Sequence, residues 1–209
     1  MIFSILSLKA FAQQARGTAP DRERLPADVS ANLLDEGING ALYERLVRGE
    51  VITRSRPVPP GKSGVHVAVF GLVYGSADKL WDLIKSCGNS PPIMPSVQSC
   101  KVIEPNRPLP PNKRWELLKI DFHMLFFRLR TTMVDEQTIE TPNFLRWRQI
   151  YGDAKDNEGY FRVITINPCT QVVVYDLLVD TGPLVPECIK AWAVKNTLPG
   201  IITALRDHI

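Results

Sequence analysis

The residues that could carry chemistry are few and scattered. His66, His123 and His208 stand alone, with no H-E-x-x-H or comparable ligand spacing, so each reads as a satisfied core or surface histidine rather than a metal ligand. Cys87, Cys100, Cys169 and Cys188 form an even set without any C-x-x-C, which argues against zinc and leaves three disulfide connectivities open. The local pairings, Cys87 with Cys100 and Cys169 with Cys188, would each clip a helix terminus to a neighbouring strand; the plainer alternative is free buried thiols. Gly61-Lys-Ser63 has the ending of a phosphate loop, but Arg56 stands where the first glycine should be and prolines crowd the rest. Neither G-x-G-x-x-G nor G-x-S-x-G occurs. No catalytic residue, metal or cofactor is therefore expected. A cyclase or dehydratase without a nucleophile would need only a shaped cavity and one or two proton donors, which Tyr151, Tyr175, Asp176 or an arginine could supply.

Such groups need a framework, and the composition allows one. The chain has 209 residues, 44% of them hydrophobic, with 25 Lys plus Arg against 22 Asp plus Glu for a net charge of +3. That excludes wholesale disorder and is too balanced for an obligate nucleic-acid binder, so no nucleic-acid partner is expected. Its 17 prolines gather near 57–60, 91–95 and 105–111 and punctuate rather than fill segments. No apolar run reaches the ~20 residues of a membrane span. Residues 1–12 read as a secretory signal remnant, a short apolar run closed by Ala10-Phe-Ala12 but lacking a basic start. Export to the periplasm or exterior is expected from it, with the cytoplasm as the alternative. Residues 13–26 read as a flexible linker, 27–56 as an N-terminal helix and strand extension, and 57–209 as the main domain.

Within the extension, Leu33, Leu34, Ile38, Leu42, Leu46 and Val47 recur at helical spacing, which predicts one helix over 28–47 ended by Gly49. A strand over 50–56 and a second over 65–73 follow. Ser76 then caps a helix whose Leu80, Trp81 and Ile84 face inward. The prolines of 91–95 argue against regular structure there, and six extended segments follow between 97 and 179 with short connections, an antiparallel meander. A final helical segment covers 185–209, kinked or broken at Pro199-Gly200. A curved antiparallel sheet can bury its apolar face only against the terminal helix, so the fold class is α+β.

The apolar strand over 65–73, the helix containing Ser76-Ala-Asp-Lys-Leu-Trp81, and Ile93-Met94-Pro95-Ser-Val97 together resemble the opening of the START-like, polyketide cyclase and lipid-transport superfamily (SRPBCC). Leu184-Val-Pro186, Trp192, Thr197-Leu-Pro199 and Ala204-Leu-Arg206 resemble its last helix. The resemblance covers about residues 64–209 and implies a helix-grip fold whose cavity holds an apolar small molecule such as a lipid, sterol, quinone or polyketide. It also leaves open a cyclase, aromatase or hydrolase, or a filled-core interaction module.

Strand alternation names the cavity face. Over 126–136, Leu129, Thr131 and Met133 lie opposite Arg128 and Arg130; over 144–151, Leu145, Trp147, Gln149 and Tyr151 lie opposite Arg146 and Arg148. Phe161 and Val163 lie opposite Arg162, and Val174 is assigned to the same wall. Trp81, Trp192 and Leu198 complete it from the helices, and Met94 sits near the mouth if the resemblance holds. The aromatic residues are either pocket lining or ordinary core. Gln149, if inward, needs a partner or a ligand. The arginines read as a solvated outer face paired with Glu116, Asp121 and Glu136; otherwise they suit transient contact with an anionic membrane.

Overall fold

The computed structural model describes residues 25–124, 127–140, 143–182, 185, 194 and 196–209. The apolar run expected to form one N-terminal helix folds as two, α1 (Ala27–Asp35) and α2 (Gly40–Val47). The break has a local cause: Gly37 takes φ 76°, which a side chain resists, and Asn39 caps α2 by accepting from the Leu42 amide at 3.0 Å.

Eight strands follow in one antiparallel sheet, ordered β1-β2-β8-β7-β6-β5-β4-β3. They are β1 (Ile52–Ser55), β2 (Val65–Tyr74), β3 (Val97–Ile103), β4 (Lys113–Met124), β5 (Phe127–Glu140), β6 (Phe144–Gly152), β7 (Asp156–Asn167) and β8 (Thr170–Asp180). Helix α3 (Ala77–Lys85) joins β2 to the β3 side, capped by Ser76 as its sequence predicts. The proline cluster does form a short helix, α4 (Ser90–Ile93), because Pro91 and Pro92 occupy the first turn, where no amide hydrogen is needed.

Of the terminal segment, Val194, Asn196 and Thr197 are helical, Leu198 is a turn, and Pro199 opens α5 (Pro199–Asp207). The chain thus breaks at Pro199. Helix α5 lies across β2, where a Cβ on Gly71 would overlap Ile202. The missing side chain lets the helix seat directly on the sheet.

The sheet is covered on both sides. On the concave face Val69, Val73, Phe161 and Val173 pack with Leu80, Trp81, Ile202 and Leu205 of α3 and α5. On the convex face α1 and α2 bury Leu33, Tyr43 and Leu46 against Phe70, Leu72, Val172 and Val174. A buried ion network fastens that layer. Glu36 accepts from Arg56 at 2.9 Å, from Arg162 at 3.0 Å and from the Tyr160 hydroxyl at 2.7 Å, while Arg56 also meets Asp176 at 2.8 Å. His66 is held in the same network by Asp176 and the Pro57 carbonyl, each at 2.8 Å.

Candidate functional site

Between the concave face and the C-terminal segment lies a cavity of about 620 Å³, within the ~300–1,000 Å³ range of small-molecule pockets. It runs from β3 to β8, with most of its strand lining on β4 and β5. Its walls are mostly apolar, including Leu118, Ile120, Leu129, Met133, Trp147 and Phe161, with Met94 and Leu198 at the helical side. Trp147 stacks on Tyr175 at 5.4 Å, and its indole covers Gly159, where a Cβ would overlap it.

One wall is polar, and strand register creates it. Glu116 and Asp135 are direct partners across β4 and β5, and Arg114 is opposite Gln137. Both carboxyls line the cavity and are deeply buried, at 1% and 4% exposure. Glu116 has compensation: Arg114 Nη2 lies 2.7 Å from Oε1 and Gln137 Nε2 donates to Oε2 at 2.5 Å. Asp135 has only the Asn157 amide, at 3.2 Å. Burial pushes both carboxyls up to about 7 against these bonds. No cation lies beside Asp135 among the described residues, and the Glu116 carboxylate opposite raises it further.

A disulfide joins Cys87 to Cys100, with Cα atoms 5.4 Å apart, tying the segment after α3 to β3. This is one of the two local pairings the sequence allowed. Cys169 is exposed and has no disulfide partner among the described residues; Cys188 lies outside them.

Of the residues singled out from sequence, Met94, Leu129, Thr131, Met133, Trp147, Phe161 and Leu198 line the cavity. Trp192 lies outside the described residues. Four others do not line it. Trp81 and Val163 are packed solidly in the concave core. Val174 points the other way, into the core under α1 and α2, because the inward residues of β8 are Val173, Tyr175 and Leu177. Gln149 donates to the Ala154 carbonyl at 2.7 Å and braces the β6–β7 turn. Beyond it a bulge shifts the register, so Tyr151 pairs with Val134, leaves the inner face and meets Trp115 edge-on, 57% exposed. Of the groups that could supply protons in a cyclase, Tyr151 and Asp176 are thus outside the cavity, while Tyr175 lines it, with its pKa pushed upward by burial.

Sequence reasoning missed the polar wall. Glu116 was assigned to the outer arginine face, yet Arg114, Glu116 and Leu118 share the inward parity of β4. The signal for Asp135 and Gln137 was present: the alternation that puts Leu129, Thr131 and Met133 inward runs on to them. Of the carboxylates expected to pair with the outer arginines, Asp121 does so, while Glu116 and Glu136 have other partners. Asp121 takes Arg128 and Arg130, Arg146 meets Glu140 at 3.4 Å, and Glu136 takes Lys113 at 2.8 Å and Arg107 at 3.0 Å. No histidine lines the cavity among the described residues.

Comparison with known proteins agrees with this geometry. Human StAR-related lipid transfer protein 5 superposes with a TM-score of 0.63 at 11% identity, covering 96% of this chain and 97% of that one. A STAR-related lipid transfer protein from Xanthomonas axonopodis gives 0.61 at 14% identity, over 76% of this chain and 92% of that one. The Zhui aromatase/cyclase from Streptomyces gives 0.51 at 15% identity, over 68% and 89%. No curated protein matches the sequence significantly. The eight-stranded curved sheet closed by a C-terminal helix is the START helix-grip fold. Residues 73–206 match the family described as polyketide cyclase / dehydrase and lipid transport, and the chain belongs to that family.

Proposed function

We propose that this protein binds one apolar small molecule with a neutral, hydroxyl- or carbonyl-bearing head, and carries it rather than transforms it. The observation that carries this reading is the hollow itself, mostly apolar, with the Arg114–Glu116–Asp135–Gln137 wall as its deeply buried polar part. Apolar side chains facing this space remain in contact with water when no guest is bound, and an apolar guest gains ~25 cal/mol per Å² of surface taken from water.

The polar wall supports a neutral head. The charge of Arg114 is balanced by Glu116, and its Nη2 also meets Gln137 and the Lys85 carbonyl, while its buried Nε has no hydrogen-bond partner and can donate to a neutral oxygen of the guest. An anionic head placed here would face Glu116 at short range in a poorly screened site. A hydroxyl or ketone can instead exchange hydrogen bonds with Asp135 and Asn157. Arg128 and Arg130 line the cavity while remaining exposed, which supports transient contact with an anionic membrane during loading. The disulfide supports the expected oxidising location.

One observation favours a second reading. A carboxylic acid held protonated near neutral pH inside a cavity is what an acid catalyst of cyclisation or dehydration requires, and Asp135 is such a group. Delipidated protein should be offered an equimolar mixture of a sterol, a diacylglycerol, a quinone, a fatty acid and phosphatidylglycerol, then read by native mass spectrometry. Retention of a neutral member in unchanged form supports carriage; preferential retention of the anionic members, or no retention at all, overturns it.

A further inference from the structure

Cys87, Cys100 and Glu116 come from three separate elements, the turn after α3, β3 and β4, and meet on the cavity wall. Their donor atoms all lie within 4.8 Å of one another, and Cys100 Sγ is 3.4 Å from Glu116 Oε2. Cys87 and Glu116 are buried and Cys100 is half-buried. We propose that opening the Cys87–Cys100 disulfide turns this wall into a binding site for a soft divalent cation, Zn²⁺ foremost, held by the two sulfurs and the Glu116 carboxylate.

The chemistry of the donor set selects the metal. Thiolates favour Zn²⁺ over Mg²⁺ or Ca²⁺, and two sulfurs with one carboxylate make three of the four corners of a tetrahedron. The remaining corner faces the cavity, because both Cys87 and Glu116 line it; water or an oxygen of the guest can occupy it. The backbone separation suits the site as well as the disulfide, since Cα atoms 5.4 Å apart let both sulfurs reach one ion without unfolding the wall.

Charge points the same way. Two thiolates and a carboxylate carry three negative charges, and Zn²⁺ with the adjacent Arg114 guanidinium, 2.7 Å from Glu116, balances them. Gln137 donates to Oε2, the oxygen nearest Cys100 Sγ, and Arg114 lies against Oε1, so both hold the carboxylate in orientation, the usual role of outer partners to a metal ligand. Opening the bond without a cation requires both thiols to stay protonated in this buried corner. In the full step, a dithiol reductant delivers two electrons and two protons to the S–S bond, leaving two thiols and the reductant's own disulfide. Zn²⁺ then binds with release of both thiol protons to solvent.

The site needs no lipid in the cavity, so its test is independent of the carrier reading. In a Cys169→Ser/Cys188→Ser background, which removes the other two thiols, the protein is compared oxidised and after a phosphine reductant, with Co²⁺ and Zn²⁺ as the added ions. The reduced protein should take up one ion per chain, show a thiolate-to-Co²⁺ charge-transfer band with the intense visible bands of tetrahedral cobalt, and surrender Co²⁺ to Zn²⁺. The oxidised protein should show none of this, Cys100→Ser should abolish the two-thiolate band, and Glu116→Gln should weaken binding at least tenfold. Uptake equal in both redox states, or undiminished in Cys100→Ser, overturns the site. If reduction alone unfolds the chain by circular dichroism, Zn²⁺ should restore the folded spectrum, and failure to do so overturns the site equally.

Discussion

Replacing Asp135 with asparagine tests the polar wall directly, because it keeps the shape and removes the proton. Asp135 is buried opposite Glu116, with the Asn157 amide as its hydrogen-bonding partner, and burial raises its pKa from 3.8 to about 7. The sign follows from linkage. Between pH 4 and 7 the unfolded chain releases this proton while the folded chain keeps it, so the stability it contributes is whole below about 4 and lost by about 7. At ~1.4 kcal/mol per pH unit, that window is worth at most about 4 kcal/mol, and relaxation of the wall should reduce it to ~2 kcal/mol. Asp135→Asn should therefore match the parent protein near pH 4 and exceed it by about 2 kcal/mol above pH 7. Glu116, raised by the same burial, keeps the remaining slope. Urea denaturation midpoints at closely spaced pH values from 4 to 9 would measure this. Two parallel curves would show that Asp135 ionises freely in the fold and that the wall is wet and open.

Two further changes separate cavity from framework. Leu118→Trp adds an indole to the cavity wall beside Glu116; it should reduce guest binding at least tenfold, with a melting temperature unchanged or raised, since it fills space that the fold leaves hollow. Undiminished guest stoichiometry in native mass spectra would place the binding site elsewhere. Glu36→Ala removes the acceptor shared by Arg56, Arg162 and Tyr160. It should cost about 2 kcal/mol in urea denaturation, because two half-buried guanidinium groups lose a shared carboxylate, Arg56 keeping Asp176 and Arg162 keeping Asn32, while leaving guest affinity within about twofold. Loss of binding without loss of stability would contradict the separation of the two layers.

Much of this architecture was legible in the sequence because the strands alternate strongly. Met133, Trp147 and Phe161 could be placed inward from period two alone, and Ser76 announced α3. The failures have specific causes. One extra residue in β6 turns Tyr151 to the outer face, and no propensity marks that position. Val174 could not be assigned by alternation because β8 is apolar on both faces, Val172 and Val174 one way and Val173 and Tyr175 the other. Glu116 read as surface because a carboxylate is rarely buried. Only the register that sets it against Asp135, with Arg114 nearby, shows how the charge is tolerated. The helix break at Gly37 was visible as a glycine but was outweighed by the apolar periodicity on either side.

The doubly covered half of the sheet also explains how a hollow protein stays folded. Strand β8 is buried along almost its whole length, whereas β3 is mostly exposed and β4–β6 face the cavity. The concave core of β2, β7 and β8 meets α5, and their convex core meets α1 and α2, while Phe161, Tyr175 and Leu177 of β7 and β8 also reach the cavity. Stability concentrated in these packed layers depends little on what fills the cavity. The N-terminal helices act from the opposite face: they pack against β2, β7 and β8 and take no part in lining the cavity. A variant weakened in the Glu36 network should therefore lose stability while keeping guest affinity, whereas one that fills the cavity, such as Leu118→Trp, should lose guest affinity while keeping its stability.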